Sequence, residues 1–252
     1  MDPSLPPLGR LRLARVSDLD RIGFVGAAGF FGSPFFPYAR PFYDEYPADT
    51  AAHYRKEYLD CILDERKIVL VALDEYKKDE ADSVYDALKG IYPHDWSSSN
   101  LDEDGKIIVG IISMSLEMIP DRHGQFNPDG LEASTLHNDP EHKERDASRD
   151  ALKIIEEAFK EPEKQYLPGH MEVLSLAVHP AYRKKGFGHE LAKWCVSFAD
   201  KEKVPLVVNC SPMGARVFGE LGFREKELVI LKRHKHHKSI TVSFQQRSVP
   251  PL

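Results

Sequence analysis

Residues 171–188 read Met-Glu-Val-Leu-Ser-Leu-Ala-Val-His-Pro-Ala-Tyr-Arg-Lys-Lys-Gly-Phe-Gly, the most informative segment of the chain. An apolar strand runs into a turn with three basic residues and two glycines, and a helical pattern follows at once. The first turn of a helix presents free backbone N–H groups and the positive end of the helix dipole. Together with the basic side chains, these groups favour the binding of a diphosphate.

Two familiar phosphate-binding motifs do not fit Arg183–Gly188. A Walker loop requires Gly-Lys-Ser/Thr after a four-residue gap, and that sequence is absent. A dinucleotide-binding fingerprint requires a third glycine, and here the basic residues precede the glycines. The remaining interpretation is a basic glycine loop that holds a diphosphate by backbone amides and side-chain charge, without a metal ion. A solvated basic turn is the alternative.

The rest of the chain alternates strand and helix patterns, which predicts an α/β or α+β architecture around a mixed sheet. Strands are predicted at 11–16, 67–73, 106–118, 171–178, 205–210, 228–232 and 240–244, and helices at 17–28, 49–65, 140–160, 188–201 and 214–221. The 106–118 run lacks polar alternation and is therefore expected in the centre of the sheet. Phe30–Tyr46 carries eight aromatic residues and three prolines. We interpret it as core packing, with a substrate wall as the alternative.

Two polar segments interrupt this pattern and are interpreted as insertions. Residues 74–104 hold ten acidic and three basic residues, and residues 119–170 hold twelve and seven. Since the net charge of the whole chain is −6, the remaining framework is basic. We expect residues 11–246 to form one domain with these insertions, and residues 1–10 and 247–252 to be tails. The acidic insertions suit a neutral or cationic substrate, or are merely solvated.

Composition excludes several classes of protein. The 252 residues contain no apolar run of about 20, so no membrane span is expected. A basic framework broken by acidic insertions argues against nucleic-acid binding. Three widely spaced cysteines and the lack of a secretion signal indicate a cytoplasmic protein, although a nuclear one also fits. No metal-binding spacing is present, and His234, His236 and His237 are interpreted as part of a basic loop. The oligomeric state is not predictable.

Three motifs together resemble the GNAT superfamily of N-acetyltransferases. Leu176-Ala177-Val178-His179-Pro180 matches the Leu-x-Val-x-Pro that ends a strand in that family, and Arg183 to Gly188 matches Arg/Gln-x-x-Gly-x-Gly/Ala. Gly222-Phe223 follows a strand and a short helix, as it does in the family. The resemblance implies a mixed, mostly antiparallel sheet flanked by helices. It also implies acetyl transfer from acetyl-CoA to an amine of a small molecule or polypeptide, by direct attack in a ternary complex.

The same resemblance implies where acetyl-CoA binds. The backbone of the strand end would pair with the pantetheine arm, as a strand edge does. The amides and charges of the loop would hold the pyrophosphate, with glycine needed where a Cβ would block approach or the backbone angle. The implied residues are Leu176, Ala177, Val178, Arg183, Lys184, Lys185, Gly186, Phe187 and Gly188.

Glu172 is the candidate catalytic base, because transfer to an amine requires that the amine lose a proton. Glu172 lies six residues before Val178, so strand alternation predicts that it shares a face with Leu174, Leu176 and Val178. Apolar neighbours on that face would raise the pKa of the carboxyl group. In the histone-acetyltransferase branch of the family, the catalytic glutamate occupies the matching position. Glu117 is the runner-up base, His170 is a possible assistant, and a surface carboxylate is the alternative interpretation of Glu172.

One position departs from the family pattern. A tyrosine four residues before the Gly-Phe pair usually serves as general acid, and this chain has Phe218 there. Ser211 and Cys210 are close in sequence, but neither is a convincing acid at neutral pH. A second hypothesis is therefore a catalytically weak or inactive acetyl-CoA-binding module that acts through a protein partner. Release of free CoA thiol against a panel of amines separates the two hypotheses.

Overall fold

The computed structural model describes residues 5–96, 101–128, 143–232 and 239–249. Within these residues the strands are β1 (Leu11–Leu13), β2 (Lys67–Glu75), β3 (Lys106–Ser115), β4 (Met171–Val178), β5 (Leu206–Cys210), β6 (Arg224–Leu231) and β7 (Ile240–Arg247). The helices are α1 (Leu19–Phe30), α2 (Phe35–Ala39), α3 (Pro47–Leu63), α4 (Asp86–Lys89), α5 (Arg149–Tyr166), α6 (Phe187–Glu202) and α7 (Pro212–Glu220).

The strands form one sheet in the order β1-β2-β3-β4-β5-β7-β6. Only β4 and β5 are parallel neighbours, and the other pairs are antiparallel. Residues 107–114 of β3 are all buried, as expected for a central strand with both faces covered. The predicted fold class, a mixed and mostly antiparallel sheet flanked by helices, is confirmed.

Helices cover both faces of the sheet at β4, where successive side chains point in opposite directions. Gly29 of α1 lies against Ala177, because a Cβ built on Gly29 would stand 2.9 Å from the Ala177 Cβ. Tyr58 of α3 reaches the same face and hydrogen-bonds Ser175 at 2.9 Å. A Cβ on Gly110 of β3 would meet Leu191 of α6 and Val178 within 3.4 Å. The sheet thus separates α1 and α3 from α6.

A smaller apolar cluster lies under α5, at the other end of the sheet. The ring of Phe159 contacts Phe244 of β7 with 5.6 Å between centroids. Val207 of β5 belongs to the same cluster. Residues 140–142 of the helix predicted at 140–160 lie outside the described residues. That helix begins later than expected, because residues 143–148 are not helical and α5 runs from Arg149 to Tyr166. Ser148 sets this start, because its Oγ accepts a hydrogen bond from the Ala151 N–H at 3.3 Å.

Residues 74–104 are more than a solvated insertion. Leu88, Tyr92 and Trp96 are buried in the main core, and Glu80 is 1% exposed. Residues 5–10, predicted as a tail, lie along α6, where Trp194 Nε1 donates to the Pro6 carbonyl at 3.2 Å. The loop histidines at 234, 236 and 237 lie outside the described residues.

Candidate active site

The central feature of the site is a fork between the parallel strands β4 and β5. They pair over only three positions, from Met171↔Leu206 to Val173↔Val208. Beyond this point β5 pairs with β7 alone, through Asn209↔Phe244 and Cys210↔Ser243. Among the described strands, none pairs with residues 174–178 on the β5 side. Five residues of backbone therefore offer hydrogen-bonding groups to a ligand that enters the fork.

A β-bulge in β4 sits at the fork. Ser113 of β3 pairs with Ser175, but the next residue, Met114, pairs with Val173, so Leu174 is an extra residue. A bulge reverses the alternation of side chains beyond it. Glu172 therefore lies on the face opposite Val178, and the predicted shared face with Leu176 and Val178 is wrong.

Contacts on both sides of the sheet support this assignment. Glu172 is in register with Val207, which packs beneath α5. Val178 instead lies against Gly188 of α6, where a Cβ would be 3.6 Å from Val178 Cγ2. The bulge thus places the carboxylate under α5, at the entrance to the fork.

Glu172 has an unusual electrostatic environment. Burial, followed by the charge of Glu163, raises the pKa of its carboxyl group to about 7. Glu163 lies on α5 four residues after Phe159, in the last turns of the helix, and burial also raises its pKa. Asn209 of β5 donates a long hydrogen bond, 3.5 Å, from Nδ2 to Glu172 Oε1. A carboxyl group with a pKa near neutrality can exchange a proton under physiological conditions.

Backbone amides gather at the loop between β4 and α6. Gly186 has φ of 89° and Lys184 has φ of 63°, two left-handed residues that turn the chain into α6 at Phe187. A Cβ on Gly186 would meet nothing within 4 Å, so the space above this residue is open. The N–H groups of Lys184, Lys185 and Gly186 make no hydrogen bond to another described residue. The first turn of α6 adds further unpaired N–H groups and the helix dipole.

Two of the three basic side chains at this loop already have protein partners. Arg183 Nη2 donates to the Gly29 carbonyl at 2.6 Å and its Nε donates to the Val178 carbonyl at 3.4 Å, so it joins the end of α1 to β4. Burial lowers the pKa of Arg183. Lys185 Nζ is 2.7 Å from Asp74 Oδ2 at the exposed rim, and Lys184 is exposed. The structure thus brings the predicted loop residues to one end of the fork.

The other predicted loop and strand positions contribute through backbone or packing. Phe187 is buried, with the Arg10 guanidinium over its ring at 4.3 Å. Gly188 has only an ordinary contact at its Cβ position, so the helix start leaves room there. Ala177 is buried against α1, whereas Leu176 is partly exposed beside the open edge of β4.

The alternative acid and base candidates are held by other contacts. Glu117 is 63% exposed and pairs with Arg66 at 3.2 Å. His170 lies in the turn before β4, with Nδ1 2.8 Å from the Pro168 carbonyl. Ser211 caps α7, and burial raises the pKa of the Cys210 thiol to about 12. Phe218 is buried edge-to-face against Phe223 at 5.1 Å.

Two residues that interact with Glu172, Asn209 and Glu163, were not predicted. The sequence does contain a signal for Asn209, which is the polar residue in the apolar strand Leu-Val-Val-Asn-Cys. It contains no such signal for Glu163, because the position of that side chain depends on how α5 packs. Within the described residues, no group of three or more His, Cys, Asp or Glu could hold a metal ion. No helix in those residues has the length and hydropathy needed to cross a bilayer.

Comparison with known proteins gives a family match, a relative in sequence and similar solved structures. A family model described as "Acetyltransferase (GNAT) family" matches residues 38–223. A protein from Stachybotrys chartarum named "Acetyltransferase" is 27% identical over 245 residues, which cover 97% of this chain and 91% of that protein. A GNAT superfamily phosphinothricin acetyltransferase from Sinorhizobium meliloti, solved in complex with AcCoA, aligns over 95% of this chain and 87% of its own, with 14% identity and a TM-score of 0.49.

One solved structure supports the fold directly. It is described as histone acetyltransferase HPA2 and related acetyltransferase from Corynebacterium glutamicum. The alignment covers 96% of this chain and 97% of that chain, with 15% identity and a TM-score of 0.53. At this identity the likeness concerns the fold alone, and it extends over nearly the whole length of both chains.

Proposed function

Because this chain belongs to the GNAT family of acetyltransferases, we propose that it transfers the acetyl group of acetyl-CoA to an amine of a small molecule or polypeptide, by direct attack in a ternary complex. The observation that carries this proposal is the position of Glu172 at the fork of β4 and β5, with a pKa raised to about 7. A proton acceptor, an open strand edge and an amide-lined loop lie along one strand and the turn that follows it.

The residues present fit acetyl-CoA. The unpaired edge at 174–178 offers backbone hydrogen bonds to an amide-containing arm such as pantetheine. The free amides of Lys184–Gly186, the first turn of α6 and the exposed Lys184 suit a pyrophosphate. The space above Gly186 would be reduced by any side chain. When bound, acetyl-CoA supplies an acetyl group activated as a thioester.

Glu172 removes the proton from the attacking amine. Most alkyl amines are protonated at neutral pH, with pKa values near that of lysine, about 10.4. A carboxylate with a pKa near 7 accepts such a proton more readily than an ordinary glutamate, and it remains largely ionised above neutrality. Asn209 holds one carboxylate oxygen, which limits the orientations of the side chain.

The chain offers no proton donor at the position where a tyrosine is usual. Phe218 has no ionisable group, and burial keeps the Cys210 thiol protonated. A thiol has an ordinary pKa of about 8.5 and can leave as the thiolate without assistance. We therefore assign proton transfer at the amine, and not at the leaving group, to the side chains of this protein.

The substitution Glu172→Gln tests the proposal. We expect kcat for acetylation of an amine from a broad panel to fall about 100-fold or more, the usual contribution of a general base. Acetyl-CoA should still raise the melting temperature of the variant, because the loop is intact. Glu117→Gln is the matched control and should retain activity, since Glu117 is exposed and paired with Arg66.

The outcomes separate the alternatives. Loss of activity in Glu117→Gln alone would transfer the base role to Glu117. Stabilisation by acetyl-CoA without thiol release against any amine would indicate a binding module. No stabilisation at saturating acetyl-CoA would remove both functions, because a ligand at 100 times its Kd adds about 2.7 kcal/mol.

A further inference from the structure

A buried ion pair lies behind the loop that precedes α6, away from its open side. Arg21 of α1 is 0% exposed and forms a bidentate pair with Glu80, which follows β2. Burial opposes the charge of Glu80, but the hydrogen bonds and charge of Arg21 outweigh it, so the pKa of Glu80 is lowered. The pair is thus ionised inside the protein, where a charge left without its partner strongly destabilises the folded state.

Two tyrosines complete the shell of Glu80. Tyr92 donates from its hydroxyl to Oε1 at 2.8 Å, and Tyr182 donates to Oε2 at 2.8 Å. Tyr182 belongs to the short turn at Pro180–Tyr182, immediately before Arg183. Its hydroxyl also accepts a hydrogen bond from the Lys77 N–H at 2.9 Å. Both oxygens of one carboxylate therefore connect α1 and residues 74–96 to the beginning of the loop.

Further contacts join residues 74–96 to positions 179–185, at the start of the loop and within it. Lys77 Nζ donates to the Ala181 carbonyl at 2.7 Å, and Lys185 Nζ binds Asp74 at 2.7 Å. His179 at the start of the turn receives the Ala181 N–H on Nδ1 at 3.3 Å, and its Nε2 is 3.1 Å from the Tyr92 hydroxyl. Burial, followed by the charge of Arg21, lowers the pKa of His179 to about 3, so it is neutral.

The arrangement differs from ordinary core packing. Lys78, Asp79 and Asp82 around Glu80 are exposed, and within residues 78–82 only Glu80 is buried. A buried ion pair is weak evidence of stabilisation, since apolar residues of similar volume often serve as well. The Glu80 carboxylate instead accepts a directional hydrogen bond from Tyr182, which lies in the turn four residues before Gly186.

We propose that Glu80 and Tyr182 are positioning residues, which hold the amides of Lys184–Gly188 in the geometry that binds the phosphates of acetyl-CoA. The inference rests on the proposed function of that loop. A loop held before binding loses less conformational freedom when the ligand arrives, which strengthens binding without a new contact. Since neither side chain faces the open side of the loop, the effect falls on affinity for acetyl-CoA and not on the chemical step.

The variant Tyr182→Phe removes one hydroxyl and keeps the ring. We expect the Kd for acetyl-CoA, measured by calorimetry, to rise about tenfold, with kcat at saturating acetyl-CoA unchanged. Amide hydrogen exchange at Tyr182 and Arg183, whose N–H groups donate to the His179 and Pro180 carbonyls in the free protein, should become faster. Thr50→Val is the matched control: it also removes a buried hydroxyl that donates to a carboxylate, Asp146 at 2.7 Å, at a distance from the loop. We expect it to lower the melting temperature without changing the Kd or the exchange of the Tyr182 and Arg183 amides.

The results distinguish this inference from the function on which it rests. An unchanged Kd and unchanged exchange in Tyr182→Phe, with a loss of stability like that of Thr50→Val, would overturn the positioning role alone. A wild-type protein that binds no acetyl-CoA would overturn the proposed function as well. If Tyr182→Phe does not fold, Lys77→Met provides the test, because it removes the contact with the Ala181 carbonyl from a partly exposed site. We expect it to raise the Kd about threefold, and no change would overturn the proposal that contacts from residues 74–96, which include Glu80, position the loop through Tyr182 and its neighbours.

Discussion

The raised pKa of Glu172 has two causes that substitutions can separate. Burial is the larger, and it remains in any variant that keeps the fold. The charge of Glu163 is the smaller, and it depends on a side chain of α5. Because two carboxylates on one site oppose each other's ionisation, removal of one charge lowers the pKa of the other.

The substitution Glu163→Gln should therefore move the pH dependence of activity. In its proposed role as general base, Glu172 must be ionised to accept a proton, so the acid limb of kcat/KM should follow its pKa in the free enzyme. We expect this limb to shift to lower pH by less than about one unit. Glu161→Gln on the same helix is the control, since Glu161 is 79% exposed and pairs with Lys164. An unmoved limb in Glu163→Gln, or an equal shift in both variants, would contradict the coupling.

The position of Glu172 was predictable from sequence, but its surroundings were not. A glutamate six residues before Val178 marks the strand, and the family pattern gives it a role. The bulge at Leu174 depends on pairing with Ser113 and Met114, about 60 positions earlier in the chain. Alternation counted along one strand cannot detect such a bulge, which is why the wrong face was predicted for the carboxylate.

At the scale of elements, α1 packs closely because three glycines replace side chains on one stripe. A Cβ on Gly23 would stand 2.7 Å from the Ala51 carbonyl of α3, and one on Gly26 would stand 2.9 Å from the Tyr54 side chain. Gly29 has the corresponding contact with β4, at Ala177. The helix thus approaches both α3 and the strand that carries Glu172, although glycine lowers helix propensity.

The substitution Gly23→Ala tests this packing. Alanine is the better helix former by about 1 kcal/mol, but its methyl group would meet a backbone oxygen that cannot move alone. We expect a loss of about 1–3 kcal/mol in the free energy of unfolding, measured by urea denaturation. Gly219→Ala in α7 is the control, because no atom lies within 4 Å of its Cβ position. It should gain up to about 1 kcal/mol. A Gly23→Ala protein as stable as Gly219→Ala would refute the close approach.

Elements with local sequence signals are predictable. The strand, turn and helix at 171–188 follow one another directly, so the pattern of consecutive residues is enough to predict them. The start of α5 was misplaced because the charged run around Pro140 continues through Ser148, and only the cap distinguishes the first helical residue. Asp49, where the second helix was predicted to begin, lies within α3 and binds Arg145 at 2.7 Å.

At the scale of the molecule, buried charges join the polar segments to the apolar framework. The Arg21–Glu80 pair links residues 74–96 to α1. The Arg40–Asp146 pair links the segment that leads into α5 to the residue that follows α2. Both pairs link residues more than 50 positions apart, so neither was predictable from local pattern. The acidic composition of these segments was visible in sequence, but which acids are buried depends on the tertiary fold.

The substitution Asp146→Asn measures what such a junction contributes. Asp146 is 0% exposed, and its Oδ2 accepts from Arg40 Nη1 at 2.6 Å and from the Thr50 hydroxyl at 2.7 Å. The amide would leave the buried guanidinium of Arg40 without a counter-charge, so we expect unfolding to become easier by about 3–5 kcal/mol. Asp20→Asn is the matched control, because Asp20 pairs with Arg55 at 3.1 Å but is 72% exposed, and exposed pairs contribute about 0–1 kcal/mol. Urea denaturation of both variants gives the comparison. If Asp146→Asn lost no more stability than Asp20→Asn, the buried pair would not stabilise the packing of this segment against α2 and α3.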